Sequence, residues 1–253
     1  MAAGIGDVMN TNYKHFVFDL YGTLIDLHTD EQCAKTWKKW CKWLDAHNVK
    51  HPEYFRFRKD FFDLDREHRV AVKERLGCSY PEIDIVNVYR ELFLRYGNKP
   101  FDDDFLNGAA YAFRVASRDY IKLFPGVTEY LEKIAANGGQ AYILSNAQRA
   151  YTWPEIEMFG LDKITKDQFI SSDYGYMKPE KFFFDVLIEK YDMDRDEVLM
   201  HGDSYASDCV GAMNAGIDYV HLVGENHPSR YWGRSRCARH EDAPNATVMC
   251  TLA

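Results

Sequence analysis

Asp19 stands where an apolar stretch, Phe16 to Phe18, stops and a turn containing Gly22 and Thr23 begins. Further on, the apolar run Ala141 to Leu144 ends in Ser145 and Asn146, and the run Val198 to His201 ends in Gly202 and Asp203, with Asp208 shortly after. Lys178 lies between these runs, just before Pro179. A carboxylate can attack an electrophile or hold a hard cation, an ammonium group can neutralise an anion, and hydroxyl groups can donate to its oxygens. Taken singly, each residue has a plainer use. Asp19 suits a turn, Ser145 a helix cap, Asp208 the first turn of a helix, and Lys178 a solvated surface. Their shared placement at strand ends and on one loop argues for a common site, because ligands of open parallel sheets bind along the carboxyl ends of the strands.

The elements that must position these groups follow from periodicity. From about Glu31 to Tyr120 the pattern is helical, with Trp37, Trp40, Cys41 and Leu44 spaced as one buried helix face. Further helices are read at Tyr54 to Leu76, Glu82 to Tyr96 and Asp104 to Tyr120, separated by turn signals at Gly77, Tyr80-Pro81 and Asn98 to Pro100. After Phe124-Pro125-Gly126 the pattern changes to alternation: a short helix, the turn Asn137 to Gly139, and strands at Ala141 to Leu144, Gln168 to Ser171, Val198 to His201 and Tyr219 to Val223. Helices lie between them, at about Pro179 to Tyr191 and up to about Asn214. Repeated β-α-β units predict a Rossmann-like α/β core, a parallel sheet with helices on both faces. The strand beginning at His15 must join that sheet, since a lone strand cannot bury itself. The all-helical lobe is therefore an insertion, and the expected division is a discontinuous core, 1–27 and 122–253, around a lobe at 28–121. The tail from Gly224 onward is polar and irregular before a short apolar ending at Thr247 to Leu252, with room for an edge strand.

Composition narrows the classes. The 253 residues include 46% hydrophobic residues, ordinary for a globular chain, and carry a formal net charge of -8, which argues against a general nucleic-acid surface. The six cysteines show no paired metal-ligand spacing and lie too sparsely for a disulfide framework, so a reducing cytoplasm is expected. The first ten residues, MAAGIGDVMN, lack the basic start and apolar core of a signal peptide and are expected to be frayed. No stretch approaches the ~18 apolar residues of a membrane span.

In order and spacing, FDLYGT, the Ser of LSNAQ, the Lys of MKPE and GDSYASD resemble the four motifs of the haloacid dehalogenase-like hydrolase superfamily. The helical insertion just after the first motif is similar to that superfamily's type 1 cap. The resemblance implies a Mg²⁺-dependent phosphatase for a small phosphorylated metabolite, with Asp19 as nucleophile forming an aspartyl-phosphate. Mg²⁺ would be held by Asp19, Asp203 and the backbone carbonyl of Tyr21, with Asp208 as support or a further ligand. Lys178 would stabilise the transferring phosphoryl group, and Ser145, Asn146 and Thr23 would contact its oxygens. The cap would gate access and set specificity, for which His28, Arg56 and Arg58 are candidates. A monomer or homodimer acting on a small molecule, without nucleic acid or membrane, is the expected setting.

One position departs from the pattern. Phosphatases of this superfamily usually carry a second Asp two residues after the nucleophile, where this chain has Tyr21. A phenol with a pKa near ~10 can donate a proton but is a poor base, and losing a matched acid-base group typically costs ~10²- to 10⁴-fold. Tyr here also resembles the 2-haloacid dehalogenases, in which Asp attacks carbon and halide leaves without a proton. Those enzymes work without metal and usually lack an acid matching Asp203. A third reading is a slow phospho-ligand-binding regulator. Other motifs are weaker: GDS lacks the setting of the Gly-Asp-Ser esterases, Asp192, Asp194 and Asp196 imitate an EF-hand but have Glu197 at the turn Gly, and Asp102 to Asp104 suit a helix start.

Overall fold

The computed structural model describes residues 13–222, 235–238 and 248–250. The first apolar run forms β1 (His15–Phe18), after which the chain forms β2 (Ile25–Thr29), leaves for four helices, and returns through β3 (Arg118–Leu123). The alternating part supplies β4 (Gln140–Ser145), β5 (Asp167–Ile170), β6 (Val198–Gly202) and β7 (Asp218–Leu222), followed by β8 (Ser235–Ala238) and β9 (Val248–Cys250). One seven-stranded sheet runs β5-β4-β1-β6-β7-β8-β9. Pairing is parallel from β5 through β7 and antiparallel from β7 to β9.

The central strands read as continuous apolar runs because both faces are covered. Phe16 and Phe18 of β1 pack with Leu131, Ile134, Ile143 and Leu199 on one face. Val17 between them points to the other, into Tyr142, Phe183, Leu187 and Ala212. The covering helices are numbered with the inserted ones: α1 (Ala34–Ala46), α2 (Tyr54–Leu76), α3 (Ile85–Arg95) and α4 (Asp103–Ser117) in the lobe, then α5 (Val127–Ala136), α6 (Arg149–Met158), α7 (Leu161–Ile164), α8 (Lys181–Lys190) and α9 (Val210–Ala215) about the sheet.

The lobe has its own aromatic centre, in which Trp37, Trp40, Phe57, Tyr89 and Phe113 are each fully buried. Side chains mark its helix starts: Asp84 accepts from Val86 N and Asp102 from Phe105 N, each satisfying a first-turn donor with no partner inside the helix. Ala150 and Tyr151 of α6 belong to the same cluster, so the lobe packs against the sheet domain's helices.

Several boundaries and elements differ from the sequence reading. The helix read to Tyr120 stops at Ser117, because Arg118–Leu123 pairs antiparallel with Ile25–Thr29. That two-stranded ribbon, whose partners lie far apart in sequence, carries the chain into and out of the lobe. Helix α6, with Pro154 inside it, fills a stretch left unassigned. The tail contributes two strands where room for one was read; the rest of the tail and the N-terminal ten residues lie outside the described residues. Asp194 caps the short turn Arg195–Glu197 rather than opening a cation loop. No described helix is long and apolar enough to cross a membrane.

Candidate active site

Strand register brings the acids together. Phe18 pairs with His201 of β6 on one side and Ile143 of β4 on the other, so Asp19, Asp203 and Ser145 all emerge at the same sheet edge. Asp19 N donates to His201 O at 2.9 Å, tying the start of its loop to β6. The loop then turns sharply: Gly22 has φ +89°, and a Cβ there would lie 2.5 Å from Asp203 Oδ2. Only glycine permits this approach. At Gly202 a Cβ would fall 2.2 Å from Asp208 Oδ2, so the buried Asp208 carboxylate occupies the space a side chain would need.

Lys178 is the hub. Its Nζ donates at 2.7 Å to Asp19 Oδ1 and to the Leu144 carbonyl, and lies 2.7 Å from Asp208 Oδ1. Asn146 holds the lysine's backbone from both sides, accepting from Lys178 N at 2.7 Å and donating to Lys178 O at 3.0 Å. The Lys178-Pro179 peptide is cis. Asp208, carried by the π-helical turn Tyr205–Cys209, also accepts from Ser204 N at 3.0 Å.

Charge does not balance within this group. One atom each of Asp19, Asp203 and Asp208 lies within 4.8 Å of the others, and a single lysine faces three carboxylates. Burial pushes Asp19 up to about 7; Lys178 opposes the shift, while Asp208 and Asp203 add to it. Asp203 is raised for the same first reason, burial, and then by Asp208. Burial works against the charge on Lys178, but Asp19 and Asp208 outweigh it and hold the ammonium above its ordinary range. Hard oxygen donors with an excess of two negative charges suit a hard divalent cation. The Ser145 hydroxyl is buried with no hydrogen-bond partner, a donor free for a ligand oxygen.

The other expected residues sit differently. Thr23 is fully buried and its hydroxyl donates to Asp203 Oδ1 at 3.3 Å, so it steadies a carboxylate rather than meeting a ligand. The Tyr21 phenol turns away from Asp19: it donates to Glu155 Oε2 at 2.5 Å, lies 3.1 Å from Thr152 Oγ1, and its ring sits 5.0 Å from the Arg114 guanidinium. Burial raises the phenol above its ordinary range; Arg114 partly opposes this and Glu155 adds to it. Glu155 itself is fully buried on α6, gripped by Arg114 of α4 at 3.0 and 3.2 Å and by Arg118 of β3 at 3.2 Å. Nothing local in the sequence marks Glu155, Arg114 or Arg118, since each is defined by distant partners.

A cavity of about 470 Å³ opens between lobe and sheet domain beside this group. Tyr21, Asn146, Ala147 and Met177 line its sheet side, and Phe61, Phe62, Asp65 and Arg69 its lobe side. His28, Arg56 and Arg58 are not among its walls: His28 pairs with Asp119, Arg56 lies near Asp60, and Arg58 donates to Gln32 O, all on exposed faces.

The chain is 26% identical over 222 residues to the pyrimidine 5'-nucleotidase PynA of Streptococcus pneumoniae, covering 85% of this chain and 87% of that protein. It is 25% identical over 161 residues to a glyceraldehyde 3-phosphate phosphatase of Pyrococcus abyssi, a match spanning 64% of this chain and 65% of the relative. A HAD phosphatase from Thermococcus onnurineus shares the fold, with a TM-score of 0.53 at 18% identity over 85% of this chain and 90% of that one. The haloacid dehalogenase-like hydrolase family matches residues 13–216, and the chain belongs to it.

Proposed function

We propose that the chain is a Mg²⁺-dependent phosphatase for a small phosphorylated metabolite, acting through an aspartyl-phosphate on Asp19. The observation that carries this reading is the charge of the group: three carboxylates against one lysine, beside an unpartnered buried hydroxyl at Ser145. Asp19, Asp203 and the Tyr21 carbonyl would hold the cation, with Asp208 fixing Lys178 or completing the donor set. The cation would supply Lewis-acid stabilisation of the phosphoryl oxygens. Asp19 attacks phosphorus, Lys178 offsets the charge of two anions approaching each other, and Ser145 donates to a phosphoryl oxygen. Asn146 acts on Lys178 by fixing its backbone.

The helical lobe, 28–121, serves as the cap over a core of 1–27 and 122–253, with the cavity as the substrate's seat and lobe movement as its gate. The names of two relatives, a pyrimidine 5'-nucleotidase and a glyceraldehyde 3-phosphate phosphatase, support a phosphomonoester substrate. The free thiols of Cys33, Cys41, Cys78 and Cys209 suit a reducing compartment. A 2-haloacid substrate, itself an anion, would meet Asp19, Asp203 and Asp208 with only Lys178 to offset them, which weighs against a metal-free dehalogenase.

The test is phosphate release from acetyl phosphate. Turnover with Mg²⁺, its loss in EDTA and its loss in Asp19→Asn are expected. Chloride release from 2-chloropropionate without metal, and no phosphate release, would overturn the reading.

A further inference from the structure

Two independent observations narrow the substrate beyond a phosphomonoester. The first is the direction of the Tyr21 hydroxyl. A leaving alkoxide needs a proton as its bond to phosphorus breaks. Tyr21 gives its hydrogen to Glu155 instead, and Glu155 lies behind it, held by two arginines. Among the described residues of the site, Asp208 and Asp19 are both tied to Lys178, and Asp203 accepts from Thr23. None of these stands ready as a proton donor.

The second observation is the cavity wall. Phe61, Phe62 and Tyr151 face the space, together with Ile85 and Met177. The two cations at its edge are already taken: Arg69 lies 3.2 Å from Asp65 and 2.9 Å from Glu82, and Arg114 grips Glu155. A leaving group bearing a carboxylate or second phosphate finds no free positive charge there, whereas a flat apolar ring finds aromatic faces to stack against.

We infer that this site, on the phosphatase reading above, takes aryl monophosphates whose ring bears no charge of its own and whose phenolic oxygen departs as a stabilised anion. In the first step a carboxylate oxygen of Asp19 bonds to phosphorus as the P–O bond to the ring breaks. The bonding pair leaves on the phenolate oxygen, and no proton moves within the site. Water then attacks phosphorus, the bond to Asp19 breaks with its pair returning to the carboxylate, and hydrogen phosphate and a proton are released. The phenolate takes its proton from solvent.

The experiment measures kcat/KM with Mg²⁺ for nitrophenyl phosphate, phenyl phosphate, a nucleoside 5'-monophosphate, a simple alkyl phosphate and acetyl phosphate. The nucleotide offers an aromatic ring but an alkoxide leaving group. Alkyl phosphates, the nucleotide included, are expected at least ~10²-fold below phenyl phosphate, the lower end of what a missing proton donor costs. The variant Phe62→Ala should raise KM for phenyl phosphate about 10-fold more than for acetyl phosphate, the scale of one lost apolar contact. Equal turnover of aryl and alkyl esters, or an equal effect of Phe62→Ala on both substrates, would overturn the aryl assignment and leave the phosphatase reading standing. Acetyl phosphate needs neither a donor nor the aromatic wall; no phosphate release from it would overturn both.

Discussion

At the scale of single residues, what distinguishes this site is that the side-chain donors of Lys178 and Tyr21 are already committed, while the Ser145 hydroxyl is not. Lys178 spends its donors on Asp19, Asp208 and a carbonyl, and Tyr21 spends its own on Glu155. An aspartate at position 21 is too short to keep the Glu155 contact and would leave a carboxyl group on the loop beside the nucleophile. Tyr21→Asp is therefore expected to raise kcat/KM on alkyl phosphates at least ~10-fold. No gain, with Mg²⁺ still bound by calorimetry, would remove position 21 from acid-base chemistry. The grouping was legible in the sequence because Asp19, Ser145, Asp203 and Asp208 close or follow local apolar runs, while Lys178, on a loop, was marked by the resemblance of MKPE to a family motif. Thr23 sits in the same motif as Asp19, yet its hydroxyl is used on Asp203, a direction no spacing rule encodes. Glu155 was invisible: its partners Tyr21, Arg114 and Arg118 stand 134, 41 and 37 positions away.

At the scale of elements, two buried glutamates fasten the lobe. Glu155 on α6 joins Arg114 of α4 and Arg118 of β3 beside the ribbon. On the far side Glu82, just before α3, accepts from Gln148 and Ser171 of the sheet domain at 2.9 and 3.0 Å. There the backbone also pairs, with Met177 N donating to Tyr80 O at 3.1 Å, next to Lys178. Glu155→Ala leaves the buried Arg114 with only the longer pairing to Glu31 at 3.8 Å, and truncating one partner of a buried pair costs about 3–5 kcal/mol. Urea denaturation is expected to show a loss of that size, partly restored when Arg114→Met removes the stranded charge as well. A loss below ~1 kcal/mol would mean that the ion cluster contributes only what exposed pairs do. The helices α1 to α4 were readable from their apolar spacing and turn residues. The ribbon was not: β2 is a five-residue IDLHT segment and β3 follows directly on a helix, so only their mutual pairing defines them.

For the whole molecule, the alternation of strands and helices announced the sheet, while the order β5-β4-β1-β6-β7 depends on contacts that no local window contains. One buried group makes stability sensitive to acid. His201 of β6 stacks on Phe18 at 4.5 Å, its Nδ1 has no partner, and burial lowers its pKa from 6.5 to about 4. A neutral imidazole is thus favoured in the fold. Its contribution is complete above pH 6.5 and is lost as pH falls toward 4, by up to about 3 kcal/mol at 1.36 kcal/mol per unit. Asp19, raised to about 7, acts in the opposite sense, its contribution present at low pH and lost as pH rises toward 7. The measurement is therefore the difference in urea midpoint between the natural chain and His201→Phe from pH 4 to 7. That difference should shift in favour of the variant as pH drops, and a pH-independent difference would exclude the histidine as the cause. The ribbon of β2 and β3 has a broader meaning for ancestry. Thr29 and Arg118 are cross-strand neighbours, so the polypeptide departs and re-enters through a single doorway. A hairpin turn of a few residues could bridge that doorway, which makes the whole helical segment an exchangeable cassette, one that recombination could swap for another without disturbing the order of the strands beneath.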